Sequence, residues 1–161
     1  MDVAVQINVA RLLAAKPASI FATVADVLSW PQIIGSVTRV ELLTPGALVP
    51  GTRLRLNRIR FGAETTEELE ITAMDRPHRL RLNGEDRGMS YELDHMIDAV
   101  FAAGSRLLLA FRTRPTRSVG RVSGDFTRPF MEIELRDELE QDLTDLAAAI
   151  EARASDLPAA Q

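Results

Sequence analysis

The chain has no cysteine, and this absence excludes disulfide bonds, thiolate metal sites and cysteine nucleophiles. It has only two histidines, so a multi-histidine metal site is not expected. No stretch approaches the roughly 18 apolar residues of a membrane-spanning helix. The N-terminus also lacks the basic and apolar regions of a signal peptide. We therefore expect a cytoplasmic protein with no integral membrane segment, no metal and no cofactor.

Lysine is nearly absent, since Lys16 is the only one, and the net charge of the chain is −4. A nucleic-acid partner requires a basic face that neutralises phosphates. The acidic total therefore argues against nucleic acid. The length of 161 residues suits one domain with a core of ordinary size. We expect that domain to span residues 1–153, with a flexible tail at 154–161.

The first part of the chain predicts one strand followed by two short helices. The apolar residues that share one parity within segment 3–13 are Val5, Ile7, Val9 and Leu13. Pro17 then suits the first turn of a helix. Trp30 opens a second short helix, which ends at Gly35.

Six further strands are predicted from alternating apolar residues between turn signals. They lie at 36–43, 52–61, 64–74, 79–82, 89–102 and 105–113. Asn83-Gly84 predicts a tight hairpin turn after the fourth of these. The apolar parity changes near Asn57-Arg58, which predicts a β-bulge there.

The last third predicts a loop and then one long helix. Residues 115–125 are rich in proline, glycine, serine and arginine. Thr127 can cap the helix, with Pro129 in its first turn. The apolar stripe consists of Phe130, Ile133, Leu135, Leu139, Leu143, Leu146 and Ile150. The acidic residues, expected to form a solvated face, are Glu132, Glu134, Asp137, Glu138, Glu140, Asp142 and Asp145.

The segregation of strands and helices predicts an α+β fold with an antiparallel sheet. A sheet of seven strands twists and coils. A single helix about 10–12 Å across is too narrow to fill the whole concavity of such a sheet. We therefore expect a cavity near one end of the space between the sheet and the helix.

Several short motifs carry a family resemblance. Residues 13–21 are similar to an entry into a first helix, and Asp26-Val27-Leu28-Ser29-Trp30-Pro31 is similar to a D-x-x-x-W-P signature. Segments 51–56, 77–80 and 104–107 match recurring strand starts, and 139–151 resembles a C-terminal helix. On these residues the chain resembles the START-like, helix-grip superfamily, in its bacterial polyketide cyclase/dehydrase-type branch.

The resemblance covers nearly the whole chain. It implies a helix-grip fold: a curved seven-stranded antiparallel sheet around a long C-terminal helix, with two short helices between strands 1 and 2. The superfamily includes lipid carriers, hormone receptors, plant defence ligand binders, quinone-binding proteins and aromatase/cyclases. Fold alone does not choose among these functions.

Candidate site residues follow from inward parity on the predicted strands. They are Arg11, Trp30, Arg58, Glu67, Tyr91, Leu93, His95, Ile97, Leu109, Phe111 and Phe130. Arg60 is the alternative to Arg58 beyond the suspected bulge. A few polar groups in an apolar wall are typical of a small-molecule site. The alternatives are that Arg11, Arg58 and Glu67 reach solvent at strand ends, that His95 is a satisfied core histidine, and that Trp30 only packs the helices against the sheet.

Three functional hypotheses remain open. The first is binding of a small hydrophobic molecule, such as a lipid, a quinone or a polyketide-like compound. The second is an aromatase/cyclase-type enzyme in which Tyr91 or His95 transfers a proton and an inward arginine polarises a carbonyl. The third is a protein–protein module that uses outward arginines, namely Arg53, Arg55, Arg79, Arg81, Arg106 and Arg112. Both a monomer and a homodimer are compatible with the sequence.

Overall fold

The structure, a computed structural model, describes residues 5–86, 88–115 and 128–156, with the backbone alone at 86 and 128–131. The strands are β1 (Val5–Leu13), β2 (Val37–Leu42), β3 (Arg53–Arg60), β4 (Ala63–Asp75), β5 (Arg79–Asp86), β6 (Met89–Val100) and β7 (Gly104–Pro115). The helices are α1 (Pro17–Val24), α2 (Trp30–Ile33) and α3 (Arg128–Ser155), and a 3-10 turn at Val27–Ser29 precedes α2.

The seven strands form one antiparallel sheet in the order β1-β7-β6-β5-β4-β3-β2. Consecutive strands are neighbours from β2 to β7, and β1 closes the order beside β7. Helix α3 lies across the inner face and contacts β1, α1 and α2. The predicted α+β helix-grip fold, with its curved sheet and two short helices after β1, is therefore confirmed.

The core lies between the inner face of the sheet and one side of α3. Its largest fully buried side chains are Ile7, Leu13, Ile20, Leu54, Ile71, Leu80, Leu82, Ile97, Leu107, Leu109, Leu146 and Ile150. Burying a side chain of this size stabilises the fold by about 1.5–3 kcal/mol. These residues come from the sheet, from α1 and from α3, so their burial holds the helices against the sheet.

The prediction of a β-bulge in β3 is wrong, because the bulge lies in the neighbouring strand β2. Register between β3 and β4 runs unbroken from Arg53 to Arg60. The extra residue is Thr38 on the neighbouring strand β2, because Val37 pairs with Arg58 whereas Arg39 pairs with Asn57. The apolar pattern in β3 changes because its inward positions become arginine and not because the strand slips.

The predicted hairpin turn at Asn83-Gly84 is also wrong, since β5 continues to Asp86. Gly84 pairs with Tyr91 on β6 and is buried inside the sheet. A Cβ atom at this position would lie 2.5 Å from Cζ and from the hydroxyl oxygen of Tyr91. The glycine therefore makes room for an aromatic ring and does not form a turn.

Helix α3 differs from its predicted faces at two points. Ile133, assigned to the apolar stripe, is 59% exposed. Asp142 and Glu138, assigned to the solvated face, have side chains only 7% and 14% exposed. The remaining buried stripe consists of Leu135, Leu139, Leu143, Leu146, Ala147 and Ile150.

Four predictions fall largely outside the described residues. The loop expected at 115–125 is described only at Pro115, and the cap at Thr127 is not described. Phe130 is part of α3, but its side chain is not described. The tail expected at 154–161 overlaps the end of α3 at Ser155 and is not described from 157 onward. No helix of the described residues is both long enough and apolar enough to cross a membrane.

Candidate functional site

A cavity of about 40 Å³ lies between the inner face of the sheet and α3. A water molecule occupies roughly 10–15 Å³ of such a cavity, so there is room for about three. Its walls are formed by Trp30, Ile34, Val37, Leu56, Arg58, Arg60, Glu67, Leu69, Tyr91, Leu93, His95, Leu109, Phe111, Leu135, Glu138, Leu139, Asp142 and Leu146. The hollow predicted from the fold is present, but it is narrow.

Aromatic rings form much of the apolar wall. Tyr91 on β6 and Phe111 on β7 stack with their ring centroids 5.9 Å apart. Trp30 begins α2, and its indole Nε1 donates a hydrogen bond to the carbonyl oxygen of Val24 at 3.1 Å. This bond holds the indole ring at the cavity, where its centroid lies 5.9 Å from that of His95. Trp30 therefore both packs α2 against the sheet and lines the cavity.

His95 is buried at 2% exposure, opposite Leu80 in the register of β5 and β6. Its Nδ1 lies 3.2 Å from the carbonyl oxygen of Leu80. Burial lowers the pKa of His95 from 6.5 to about 4, although the Leu80 carbonyl and the charge of Asp94 act in the opposite direction. The imidazole is therefore neutral at pH 7.

The hydrogen bond to Leu80 also fixes which nitrogen of His95 carries the proton. A carbonyl oxygen can only accept, so Nδ1 must be the donor, and Nε2 of the neutral ring keeps a lone pair. Within the described residues, Nε2 of His95 has no hydrogen-bond partner. Because His95 lines the cavity, its Nε2 is a candidate hydrogen-bond acceptor for a guest molecule.

Charged residues form a second part of the wall, which we call the inner ionic cluster: Arg58, Arg60, Glu67, Glu138 and Asp142. Arg58 on β3 places Nη1 2.7 Å from Oε1 of Glu138 on α3. Its Nη2 donates to Oδ2 of Asp142 at 2.8 Å. The side chains of Arg58 and Asp142 are 8% and 7% exposed. The pair therefore joins the sheet to the helix across a largely buried interface.

Arg60 extends the cluster toward β4. Its Nε and Nη2 donate to the two carboxylate oxygens of Glu138 at 3.0 and 2.8 Å, and its Nη1 donates to Glu67 at 2.7 Å. Burial disfavours the charged form of Arg60, but the hydrogen bonds and charges of Glu138 and Glu67 outweigh this effect and raise its pKa above the ordinary value. Arg60 therefore stays a cation inside the site.

Asp142 is the carboxylate with the most perturbed environment in the cluster. Burial raises its pKa, whereas the charge and hydrogen bond of Arg58 lower it, and the net direction is upward. With every member ionised, two guanidiniums face three carboxylates, so the cluster has a net charge of −1. Within the described residues, no group of histidine, aspartate and glutamate side chains is arranged to hold a metal ion.

Most residues predicted for the site line the cavity. They are Trp30, Arg58, Glu67, Tyr91, Leu93, His95, Leu109 and Phe111. Ile97 shares their parity but is fully buried in the core beyond the cavity. Arg11 is exposed and lines an outer groove between β1 and α3, with Asn8 and Glu140. The prediction from parity was wrong for Arg11 because β1 is an edge strand, where a long side chain of inward parity still reaches solvent.

Sequence reasoning missed Glu138 and Asp142. They are four residues apart, so they share one face of a helix. They also alternate along the chain with Leu135, Leu139 and Leu146, which line the same cavity. The sequence did contain a signal for their burial. An acidic pair lies within the apolar stripe of α3, and two arginines on β3 have inward parity.

Together, the sheet, the enclosing helix and the cavity between them define a START-like helix-grip protein. The family model described as polyketide cyclase / dehydrase and lipid transport matches residues 4–151. The chain therefore belongs to this family. No curated protein sequence matches the chain at a significant level.

Solved structures show the same fold at low sequence identity. The Zhui aromatase/cyclase from Streptomyces sp. R1128 superposes with a TM-score of 0.76 at 18% identity, covering 93% of this chain and 95% of that one. A protein from Thermus thermophilus gives a TM-score of 0.76 at 17% identity, over 92% and 99% of the two chains. A START superfamily protein from Mycobacterium smegmatis gives 0.73 at 14% identity, over 91% and 97%. At such identities the likeness establishes the fold alone.

Proposed function

We propose that the protein binds a small, mainly apolar molecule in the cavity between the sheet and α3. The observation that carries this proposal is the combination of an aromatic wall with an unoccupied acceptor, Nε2 of His95. Ligand sites are commonly apolar hollows with a few placed polar groups. The family description, which includes lipid transport and polyketide chemistry, supports the same reading. Lipids, quinones and polyketide-like molecules are the ligand classes we propose.

The small volume of the cavity sets a condition on binding. About 40 Å³ is far below the volume of a drug-sized guest. A ligand must therefore displace side chains at the wall, and the half-buried Tyr91 and Phe111 are the aromatic groups that we expect to move. Binding then selects or induces a more open form of the same site.

Native mass spectrometry of the purified protein, followed by extraction, tests the proposal. We expect a co-purifying molecule of low polarity that is lost from a Leu93→Trp variant, in which a larger side chain occupies the cavity. Ile133→Trp is the matched control, because Ile133 is 59% exposed on α3 and does not line the cavity. Equal retention of the molecule by both variants would place it elsewhere on the protein and reject this site.

A second candidate function is catalysis of the cyclase type in the same cavity. The specific observation in its favour is the neutral His95, which lines the cavity and whose Nε2 keeps a lone pair that can accept a proton. Tyr91 lies on the same strand and the same wall. A His95→Ala, Tyr91→Phe double variant that still cyclises a poly-β-keto substrate at the original rate would reject this role.

The protein–protein hypothesis loses support from the outer face of the sheet. Five of its arginines pair with carboxylates of neighbouring strands: Arg53 and Arg55 with Glu68, Arg79 and Arg81 with Asp94, and Arg106 with Asp98. Arg55 also pairs with Glu41 and Arg81 with Glu92, so these five arginines face five carboxylates and their charge is already balanced within the sheet. An acidic partner would gain little from them.

A further inference from the structure

Arginine side chains often bind anions, but the two arginines at this cavity are already paired with carboxylates of the protein. Arg58 is held by Glu138 and Asp142, and Arg60 by Glu138 and Glu67, all at 2.7–3.0 Å. Nε, Nη1 and Nη2 of Arg60 and Nη2 of Arg58 donate hydrogen bonds to protein carboxylates, and Nη1 of Arg58 forms an ion pair with Glu138. An entering carboxylate would have to compete with these side chains for either arginine.

The charge balance at the wall opposes anions further. The inner ionic cluster has two cations against three carboxylates, so it is net negative with Asp142 ionised and neutral with Asp142 protonated, and the neutral His95 adds no positive charge. An anionic guest would lose its hydration in a poorly solvated space whose wall has no net positive charge. Both effects are unfavourable, because a desolvated charge without a compensating partner is costly.

The hydrogen-bonding groups that are left suit an uncharged molecule. Nε2 of His95 accepts, so it fits the hydrogen of a hydroxyl group. Among the described residues Nε of Arg58 has no hydrogen-bond partner, but less than 1 Å² of this atom is accessible, so a guest reaches it only if the wall rearranges. The rest of the wall is apolar or aromatic, including Trp30, Leu93 and Phe111.

We infer that the cavity takes neutral, hydroxyl-bearing apolar molecules and rejects carboxylates of the same size, free fatty acids included. This inference rests on the proposed binding function. It adds the ligand class, and it assigns the discrimination to Glu67, Glu138 and Asp142, which neutralise the two arginines.

The single tryptophan of the chain, Trp30, reports directly on this test because it lines the cavity. The probes are 4-tert-butylcyclohexanol and 4-tert-butylcyclohexanecarboxylate, which have matched rings and do not absorb where tryptophan is excited. Fluorescence titration at neutral pH should show the alcohol binding at least about tenfold more tightly than the carboxylate. Equal affinities, or a preference for the carboxylate, would overturn the inference while leaving the binding function in place.

Variants that change the charge of the inner ionic cluster distinguish electrostatic rejection of carboxylates from exclusion by size. Glu138→Gln removes one negative charge from the cluster and should raise affinity for the carboxylate at least about threefold, with little change for the alcohol. Glu67→Gln contacts only Arg60 within the cluster and gives a second variant should Glu138→Gln fold poorly. Glu140→Gln is the control, because Glu140 is exposed on the same helix and lines the outer groove.

The outcomes are distinct. A rise in carboxylate affinity in both cluster variants, and not in the control, supports the inference. The same small rise in all three would show only a long-range effect of net charge and would overturn it. If neither probe changes the emission of Trp30 in any variant, the proposed binding function itself fails, and the inference fails with it.

Discussion

Nη2 of Arg58 on β3 lies 2.8 Å from Oδ2 of Asp142 on α3, and both side chains are more than nine-tenths buried. This pair ties the terminal helix to the far half of the sheet. Its members are 84 positions apart in the chain. The contact can therefore form only once the helix has docked on the sheet.

Breaking this pair should strongly destabilise the protein. Arg58→Met leaves Asp142 buried without its cation, a change that typically costs about 3–5 kcal/mol. Arg53→Met is the matched control, because Arg53 pairs with Glu68 at 3.1 Å but is 56% exposed, and exposed pairs contribute at most about 1 kcal/mol. Urea unfolding of both variants gives the comparison. Similar losses in the two would contradict the buried role of Arg58.

The stability of the protein should fall in acid because of His95. The folded pKa of about 4 lies below the ordinary 6.5, so the unfolded chain binds a proton that the folded chain does not. The contribution of His95 is therefore complete above pH 6.5 and is lost as the pH falls toward 4. The integrated loss is about 3 kcal/mol, to an order of magnitude.

The pH effect is measured as the difference in unfolding free energy between the wild type and His95→Gln across this range. The raised pKa of Asp142 works in the opposite direction, favouring the folded state at low pH and losing that contribution as the pH rises through its folded pKa. This contribution is present in both proteins and cancels in the difference. His78→Gln serves as the control, since His78 is the other histidine and is exposed. A difference that does not change with pH would contradict the buried neutral state of His95.

Gly84→Ala should disturb the cavity wall through Tyr91. The new Cβ would lie 2.5 Å from Tyr91 atoms and 2.9 Å from Cδ2 of Leu69, so the ring must move or the strand must shift. Overpacking of this kind costs about 1–3 kcal/mol. Gly35→Ala adds the same methyl group at an ordinary 3.5 Å from Asp145 and should cost less.

Thermal unfolding of Gly84→Ala in the wild type and in a Tyr91→Ala background tests whether the Tyr91 ring causes the loss of stability. In a Tyr91→Ala background the ring is absent, so Gly84→Ala should cost clearly less than it does in the wild type. If Gly84→Ala costs as much stability in that background as in the wild type, then the backbone or Leu69, and not Tyr91, requires the glycine.

Leu146→Ala should enlarge the cavity at the expense of stability. Leu146 is fully buried on α3 and lines the cavity, so its truncation should lower the unfolding free energy by about 2–5 kcal/mol. The same variant should bind larger alcohols than the wild type, as followed by Trp30 fluorescence. Ile133→Ala, at an exposed position of the same helix, should change neither property appreciably. Unchanged ligand size in Leu146→Ala would contradict the location of the binding site.

Much of the fold was predictable because it follows from local patterns. Alternation in β1 and β7, the proline at the start of α1 and the apolar period of α3 are each local in sequence. The failure at Gly84 arose from packing between strands, whereas the bulge was misplaced because the inward positions of β3 become arginine. Asn83-Gly84 has the composition of a turn, and the close approach of Tyr91 and Leu69 on the neighbouring strands explains a glycine there.

Half of the site followed from parity alone. Tyr91, Leu93 and His95 alternate on one strand, so their common orientation is a property of the extended backbone. The acidic half did not follow, because Glu138 and Asp142 have the composition of a solvated helix face. Their burial depends on the rotation of α3 about its axis, which the two arginines on β3 help to set.

By itself, the sequence determined the order of elements, the antiparallel sheet and the inward row on β6, because each depends on the period of the backbone over a few neighbouring residues. Only the tertiary structure decided that the cavity is narrow, that Arg11 lies outside it and that the arginines inside it are neutralised. These properties depend on how a helix and a sheet distant in the chain fill the space between them. Spacing along the sequence does not contain that information.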